Sequence, residues 1–336
     1  MEQRISLAHG EGGELTHQLI QKVFVQSFGH SKQTQLDSAI FTLPGQTIAV
    51  TTDSFVIKPL FFPGGDIGKL SIAGTVNDLA VSGAMPWAIT AGFIIEEGFP
   101  LQDLKKIAQS MAAEAEKAGV NIIAGDTKVV EKGSADGLFI NTTGIGLLQE
   151  RRKLKPEKNK EGDAVIISGT VGDHGISILS ARQELGLMTE VESDCASLTP
   201  MIQELMNFVD GIRIMRDPTR GGLATALVEL CEDFNFTIEV EEASVPIRND
   251  VKGACDILGF DPLYLANEGK VVVIVDSSHE QIVLDIMKEH SYGKNARVIG
   301  HVTSSDDLIG KLLLKTPIGT TRRLQRLSGM LLPRIC

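Results

Sequence analysis

Residues 149–162 read QERRKLKPEKNKEG, a polar, charge-dense stretch with Pro156 inside it. No strand or helix with a buried face continues through such a run, so it divides the chain into two halves. Each half then shows its own mixture of short apolar runs and amphipathic periods. Before the break, strands are expected at 48–52, 88–95 and 138–148, with a short buried strand at 120–124. Helices are expected at 66–84 and at 101–118, the latter stopped by Gly119. After it, strands are expected at 163–168, 236–240, 270–275 and 297–302, and helices at 175–184, 199–209, 223–233 and 279–290. The pattern predicts an α+β protein of two domains, a sheet-forming half at 1–150 and a helix-covered half at 162–315. A linker at 151–161 joins them, and 316–336 form a flexible tail.

A chain of 336 residues is long enough to bury a core in each half. No apolar run approaches the roughly 20 residues that span a bilayer, so no membrane is expected. Residues 1–13 carry no apolar signal region, which points to the cytoplasm. The 43 acidic and 32 basic residues leave a net charge of −11. Such a surface repels nucleic acid. It hints at cations held by carboxylates, although most acidic side chains simply solvate a face.

The familiar phosphate-binding motifs fail. Leu70 separates Lys69 from Ser71, so 64–71 is not a P-loop, and no GxGxxG follows a strand. What remains is a series of aspartates at element ends. Asp53 follows the 48–52 strand, Asp126 follows 120–124, Asp37 precedes Ser38, Asp78 lies on the first long helix, and Asp217 opens DPTRGG before a helix. Magnesium takes hard oxygen ligands, commonly one or two carboxylates with phosphates and waters. Taken singly, each Asp also suits a turn or helix cap. Two glycine clusters, at 10–13 and at Gly221-Gly222, offer backbone N–H groups to a phosphate or merely form turns.

Of the four cysteines, Cys195, Cys231, Cys255 and Cys336, none forms a CxxC pair or a zinc spacing. Cys231 sits in an apolar helical stretch and reads as a buried small hydrophobe. Cys336 is the last residue. It ends a segment, 321–336, with four arginines (Arg322, Arg323, Arg326, Arg334) and no acid, on an acidic body. Such a tail can dock back or reach a partner.

Read together and in order, DSA at 37–39, TDS at 52–54, GTVNDLA at 74–80, AGDT at 124–127 and DPTRGG at 217–222 resemble the aminoimidazole ribonucleotide synthetase-like (PurM-like) ATP enzymes. That superfamily includes selenophosphate synthetase and thiamine-phosphate kinase, and the likeness covers essentially the whole chain. The terminal PRIC resembles one branch, the hydrogenase-maturation carbamoyl dehydratases of the HypE family. The resemblance implies a homodimer formed through amino-terminal sheets, with ATP and Mg2+ near the domain junction. It makes Asp37, Asp53, Asp78, Asp126 and Asp217 metal and phosphate ligands. Lys69, Asn77, Thr127, Arg220, Gly221 and Gly222 are placed at the same nucleotide. It further implies that a carbamoyltransferase, HypF, loads a carbamoyl group onto Cys336. The chain then dehydrates that group to a thiocyanate at the expense of ATP. A HypC–HypD scaffold receives the cyano group for the iron of [NiFe]-hydrogenase.

The residue types suit that step. Phosphorylating the carboxamide oxygen converts it into a leaving group, and a general base must take the nitrogen protons. Glu268, in NEGK, is the candidate base, and Lys128 a candidate to stabilise developing charge; each alternatively forms a surface salt bridge. His9 and His174 are substitutes. Two rivals remain. Selenophosphate synthetase carries a reactive Cys or selenocysteine in the amino-terminal Gly-rich segment, which has none here. A non-catalytic thiol carrier would have no use for the aspartates.

Overall fold

The computed structural model describes residues 13–25, 38–43, 45–182, 186, 189–304 and 309–327. Cys336, Asp37, His9 and Arg334 therefore lie outside the described residues.

The first half is built on β1 (Ala39–Leu43), β2 (Gln46–Phe55), a two-residue pair β3 (Phe61–Phe62) and β4 (Gly65–Asp66), then β5 (Met85–Glu96), β6 (Asn121–Val130) and β7 (Leu138–Leu148). The main sheet runs β1-β2-β7-β5-β6, antiparallel except for the parallel pair β5/β6. A short helix, α1 (Glu14–Leu19), precedes it. Two helices cover one face, α2 (Ile67–Val81) and α3 (Leu101–Ala118). Asp66 starts α2 by accepting the N–H groups of Gly68 and Lys69 at 2.7 and 3.0 Å, the ordinary N-cap arrangement. The predicted face of α2 (Leu70, Ile72, Ala73, Val76, Leu79, Ala80) is fully buried. The helix lies between the sheet and other helices, so it is apolar almost all round. Truncating Leu79 to Ala there would cost about 2–5 kcal/mol.

The second half adds β8 (Ala164–Ile167), β9 (Ile212–Arg216), β10 (Thr237–Glu241), β11 (Val272–Val275), β12 (Arg297–Thr303), β13 (Leu312–Lys315) and β14 (Thr321–Leu324), in the order β14-β13-β10-β12-β8-β11-β9. Its helices are α4 (Asp173–Arg182), α5 (Thr199–Phe208), α6 (Gly222–Phe234), α7 (Asn249–Leu258) and α8 (Glu280–Glu289). In β11, Val272 and Ile274 pack with α6, while Val273 and Val275 pack with α5 and α8. Both faces are covered, which is why this strand and β8 read as unbroken apolar runs. Helices α4 and α7 supply Ile176, Leu179 and Val251 to the core of the first half, so the halves share a packed boundary. Among the described residues, no helix is long and apolar enough to cross a membrane.

Two expectations are corrected. The strand expected at 120–124 as short and buried is ten residues long and open along its length, with Ile122, Ile123 and Val129 exposed. Its apolar residues lie on an unpaired sheet edge, not in a core. Residues 316–327, expected in the flexible tail, are instead fixed to the body. A turn at Thr316–Thr320, with Gly319 in the left-handed region, returns the chain as β14 against β13. Arg326 then pairs with Glu232 at 2.8 Å, and Arg322 with Asp261 at 3.2 Å, so both hold the body instead of leaving it.

Candidate functional site

A cleft between the two halves is lined by Asp53, Ser54, Phe55, Gly74, Asp78, Asp217, Thr219, Arg220 and Glu268. Asp53 lies in the inward-facing row of β2, between Thr51 and Phe55, Asp78 sits on α2, and Asp217 to Arg220 form the loop between β9 and α6. Glu268 lies in the turn before β11. Acids as close in sequence as Asp53 and Asp78 and as distant as Asp53 and Glu268 are thus brought to one place.

The electrostatics are those of acids held together without enough positive charge. Burial raises Asp53, against Arg220 and a hydrogen bond from Thr75 Oγ1 at 3.2 Å. Asp217 is pushed up to about 6 by burial and by the charge of Asp53, against Arg216 and Arg220. Burial and the charges of Asp217, Asp194 and Asp53 hold Glu268 well above the usual carboxylate range. Asp78 is bound by Thr51 Oγ1 at 2.7 Å. Among the described residues, no group of three or more acids, histidines or cysteines converges closely enough to hold a metal alone. The donor set fits an ion held by one or two carboxylates and completed by phosphate oxygens, as magnesium commonly is.

Gly221 and Gly222 open α6 with φ of 76° and 65°, a left-handed backbone that glycine adopts at little cost. A Cβ on Gly222 would stand 2.6 Å from the Leu263 and Leu265 carbonyl oxygens, so only glycine lets the start of α6 pack there. The loop is tied to the Glu268 turn by Asn267. Its Nδ2 donates to the Pro218 carbonyl at 3.0 Å, and its Oδ1 accepts the Gly172 N–H at 2.8 Å.

Other candidates stand elsewhere. The Asn77 side chain is turned away from the cleft and holds the 196–198 loop, with Nδ2 on the Ala196 carbonyl at 2.9 Å and Oδ1 on the Leu198 N–H at 2.8 Å. Lys69 Nζ donates to the Gly64 carbonyl at 2.8 Å. Asp126, Thr127 and Lys128 lie on the exposed edge strand β6. Asp126 is registered with Gly92, Asn141 and Ser54 across the sheet. That places it three strands, about 14 Å, from β2 and on the face opposite Asp53. It pairs with Lys128 at 3.0 Å, the surface salt bridge left open for Lys128. His174 is buried, its Nδ1 within 2.7 Å of Ser193 Oγ. Cys195, Cys231 and Cys255 are all buried free thiols.

The fold and cleft define a class. Residues 35–148 match the N-terminal domain of the AIR synthase-related proteins, and 160–312 match their C-terminal domain. The carbamoyl dehydratase HypE of Cupriavidus necator is 46% identical over 335 residues, covering 99% of this chain and 95% of that protein. A HypE–HypF complex gives a TM-score of 0.85 at 50% identity, covering 92% of this chain and 99% of the other. HypE in complex with ATP gives 0.82 at 42% identity, covering 99% and 100%. The chain belongs to the HypE family of carbamoyl dehydratases.

Proposed function

We propose that this protein is an ATP-dependent carbamoyl dehydratase whose substrate is an S-carbamoyl group on its own Cys336. The overall change is R–S–C(=O)NH2 plus ATP to R–S–C≡N plus ADP, phosphate and a proton. The carboxamide oxygen leaves on the phosphate.

One observation carries the reading. The last described residue, Leu327, is anchored to Thr225, one turn into α6, and α6 opens directly after Thr219 and Arg220, which line the acidic cleft. The chain's end is thus rooted beside the site that would act on it. Asp53 and Asp217, with Asp78, would hold magnesium, which when bound neutralises charge on the transferring phosphoryl group. Arg220 and the N-terminus of α6 hold phosphate oxygens. Glu268 takes protons from the amide nitrogen, a role suited to a carboxyl whose proton affinity burial has raised. Burial between the halves keeps water from an activated group that it would hydrolyse.

In this reading the chain divides at 151–161, the reactive tail is its last segment, and it works in the cytoplasm. Asp126, Thr127 and Lys128 serve a nucleotide only across a homodimer that covers β6. Asp37 joins the phosphate ligands, while Lys69 and Asn77 act at the nucleotide through the loops they hold. The structure shared with a HypE–HypF complex supports a HypF carbamoyltransferase as donor, and a HypC–HypD scaffold follows as cyano acceptor.

Hydrogenase maturation tests it. A strain lacking the resident gene should recover active [NiFe]-hydrogenase with this chain and not with Cys336→Ala; recovery with Cys336→Ala would sink the proposal.

A further inference from the structure

We propose that Asp194 is a positioning residue that fixes Glu268 for its proton transfer; the inference rests on the reading of Glu268 as base. Asp194 does not line the cleft. It lies in the segment between α4 and α5, and its carboxylate grips the turn that carries Glu268. Oδ1 accepts the N–H of Glu268 at 3.1 Å, and Oδ2 accepts that of Gly269 at 3.3 Å. The Ala196 N–H donates back to the Glu268 carbonyl at 3.3 Å. The backbone of Glu268 is therefore held on both sides by one short segment.

The grip is close and buried. A Cβ on Gly269 would stand 1.9 Å from the Asp194 carbonyl oxygen, so no other residue permits this approach. Lys270 Nζ lies 3.1 Å from Oδ2, with the two side chains 7% and 3% exposed. Burial works against the charge on Asp194, yet Lys270, His174 and the Glu268 N–H together hold its carboxyl below the ordinary range. An ionised carboxylate is an acceptor at both oxygens, which suits it to receive both N–H groups.

The segment is itself fixed to the first half of the chain. The Ser193 N–H donates to the Pro63 carbonyl at 2.8 Å, and the Ser197 N–H to Glu114 Oε1 at 2.7 Å. Asn77 holds Ala196 and Leu198. Asp194 is the link by which the half bearing Asp53 and Asp78 sets the position of a base carried by the other half. A small misplacement of a base is costly, on the order of 100-fold for 1 Å.

The test is a double-substitution cycle on the full-length, S-carbamoylated protein, reading the rate of water loss by mass spectrometry and the affinity for Mg-ATP by calorimetry. Asp194→Asn, which keeps shape and loses one acceptor, should slow water loss about 10- to 100-fold with the Mg-ATP affinity held. In a Glu268→Gln background it should slow the residual rate no further, because the group it positions is gone. Asp194→Glu keeps both acceptors and the charge facing Lys270, so it folds if Asp194→Asn does not. Displacing the turn by one methylene, it should show the same loss in the same pattern. A wild-type rate in both Asp194 variants, or an equal further loss on top of Glu268→Gln, overturns the inference. A wild-type rate in Glu268→Gln alone overturns instead the reading on which it rests.

Discussion

The backbone N–H of Leu327 donates to the hydroxyl of Thr225 at 3.3 Å. The Leu327 carbonyl accepts the N–H of Glu14, at the start of α1, at 3.0 Å. The start of α1 and Leu327 are thereby held together at α6, near the Gly221-Gly222 turn. From Leu327, the nine residues to Cys336 span at most about 30 Å. That is ample for the cleft, so length should limit activity only when it becomes too short. Inserting six Gly/Ser residues after 328 should leave ATP-dependent dehydration within a few-fold of normal, since loop cost grows slowly with length. Deleting 328–332 should abolish it while ATP binding persists. Single-turnover rates on the carbamoylated variants check both, and full activity in the deletion would refute the anchoring.

Asp217 should trade stability for binding. Its folded pKa, about 6, lies above the ordinary 3.8. The stability this group allows is complete below the unfolded value and is lost as pH rises through about 6. At pH 7.5 Asp217→Asn should therefore stabilise the ligand-free protein, by on the order of 1–3 kcal/mol, and lose the protection given by Mg-ATP. At pH 5 the stability difference should shrink. Thermal unfolding at both pH values, with and without Mg-ATP, gives the answer; a destabilised variant that still responds to Mg-ATP would contradict it.

Much of the scaffold was legible because periodicity is local. The 101–118 helix and the 138–148 strand were read at their observed limits, and the 149–162 break does separate two sheets. Strand β6 misled because apolar residues on an open edge look the same in sequence as apolar residues in a core. Strand β14 was missed because TRRL is short and basic, and the partner of its Arg322, Asp261, is far away in sequence. In the site, Asp53, Asp78, Asp217, Arg220 and Glu268 were found through motifs and do meet in one cleft. Asp194 and Asn267 were not assigned. They act through backbone hydrogen bonds to distant turns, which leave no spacing in the sequence.

Asn77 should behave as a buried clasp first. Asn77→Ala leaves the Ala196 carbonyl and the Leu198 N–H without their partner, so stability should fall by about 2–4 kcal/mol. Mg-ATP affinity should change little, because the carboxamide is turned away from the cleft. Chemical denaturation and calorimetry separate the two effects; unchanged stability with lost nucleotide binding would contradict this placement.

The exposed edge of β6 should be covered in solution. Ile123 is 58% exposed beside Ile122 on a strand whose outer edge is unpaired, a surface proteins rarely leave open. Ile123→Glu should turn a homodimer into a monomer, seen by light scattering after gel filtration. A wild-type protein that is monomeric at micromolar concentration would rule the dimer out.

The central claim is that the substrate is formed on the chain's own last residue and is dehydrated there. Intact-protein mass spectrometry of the S-carbamoylated chain, before and after ATP and Mg2+ are added, tests it most directly. The account predicts loss of the mass of one water, localised to the Cys336 peptide and absent in Glu268→Gln. A carbamoylated mass that stays constant while ATP is present would contradict it and make the chain a carrier.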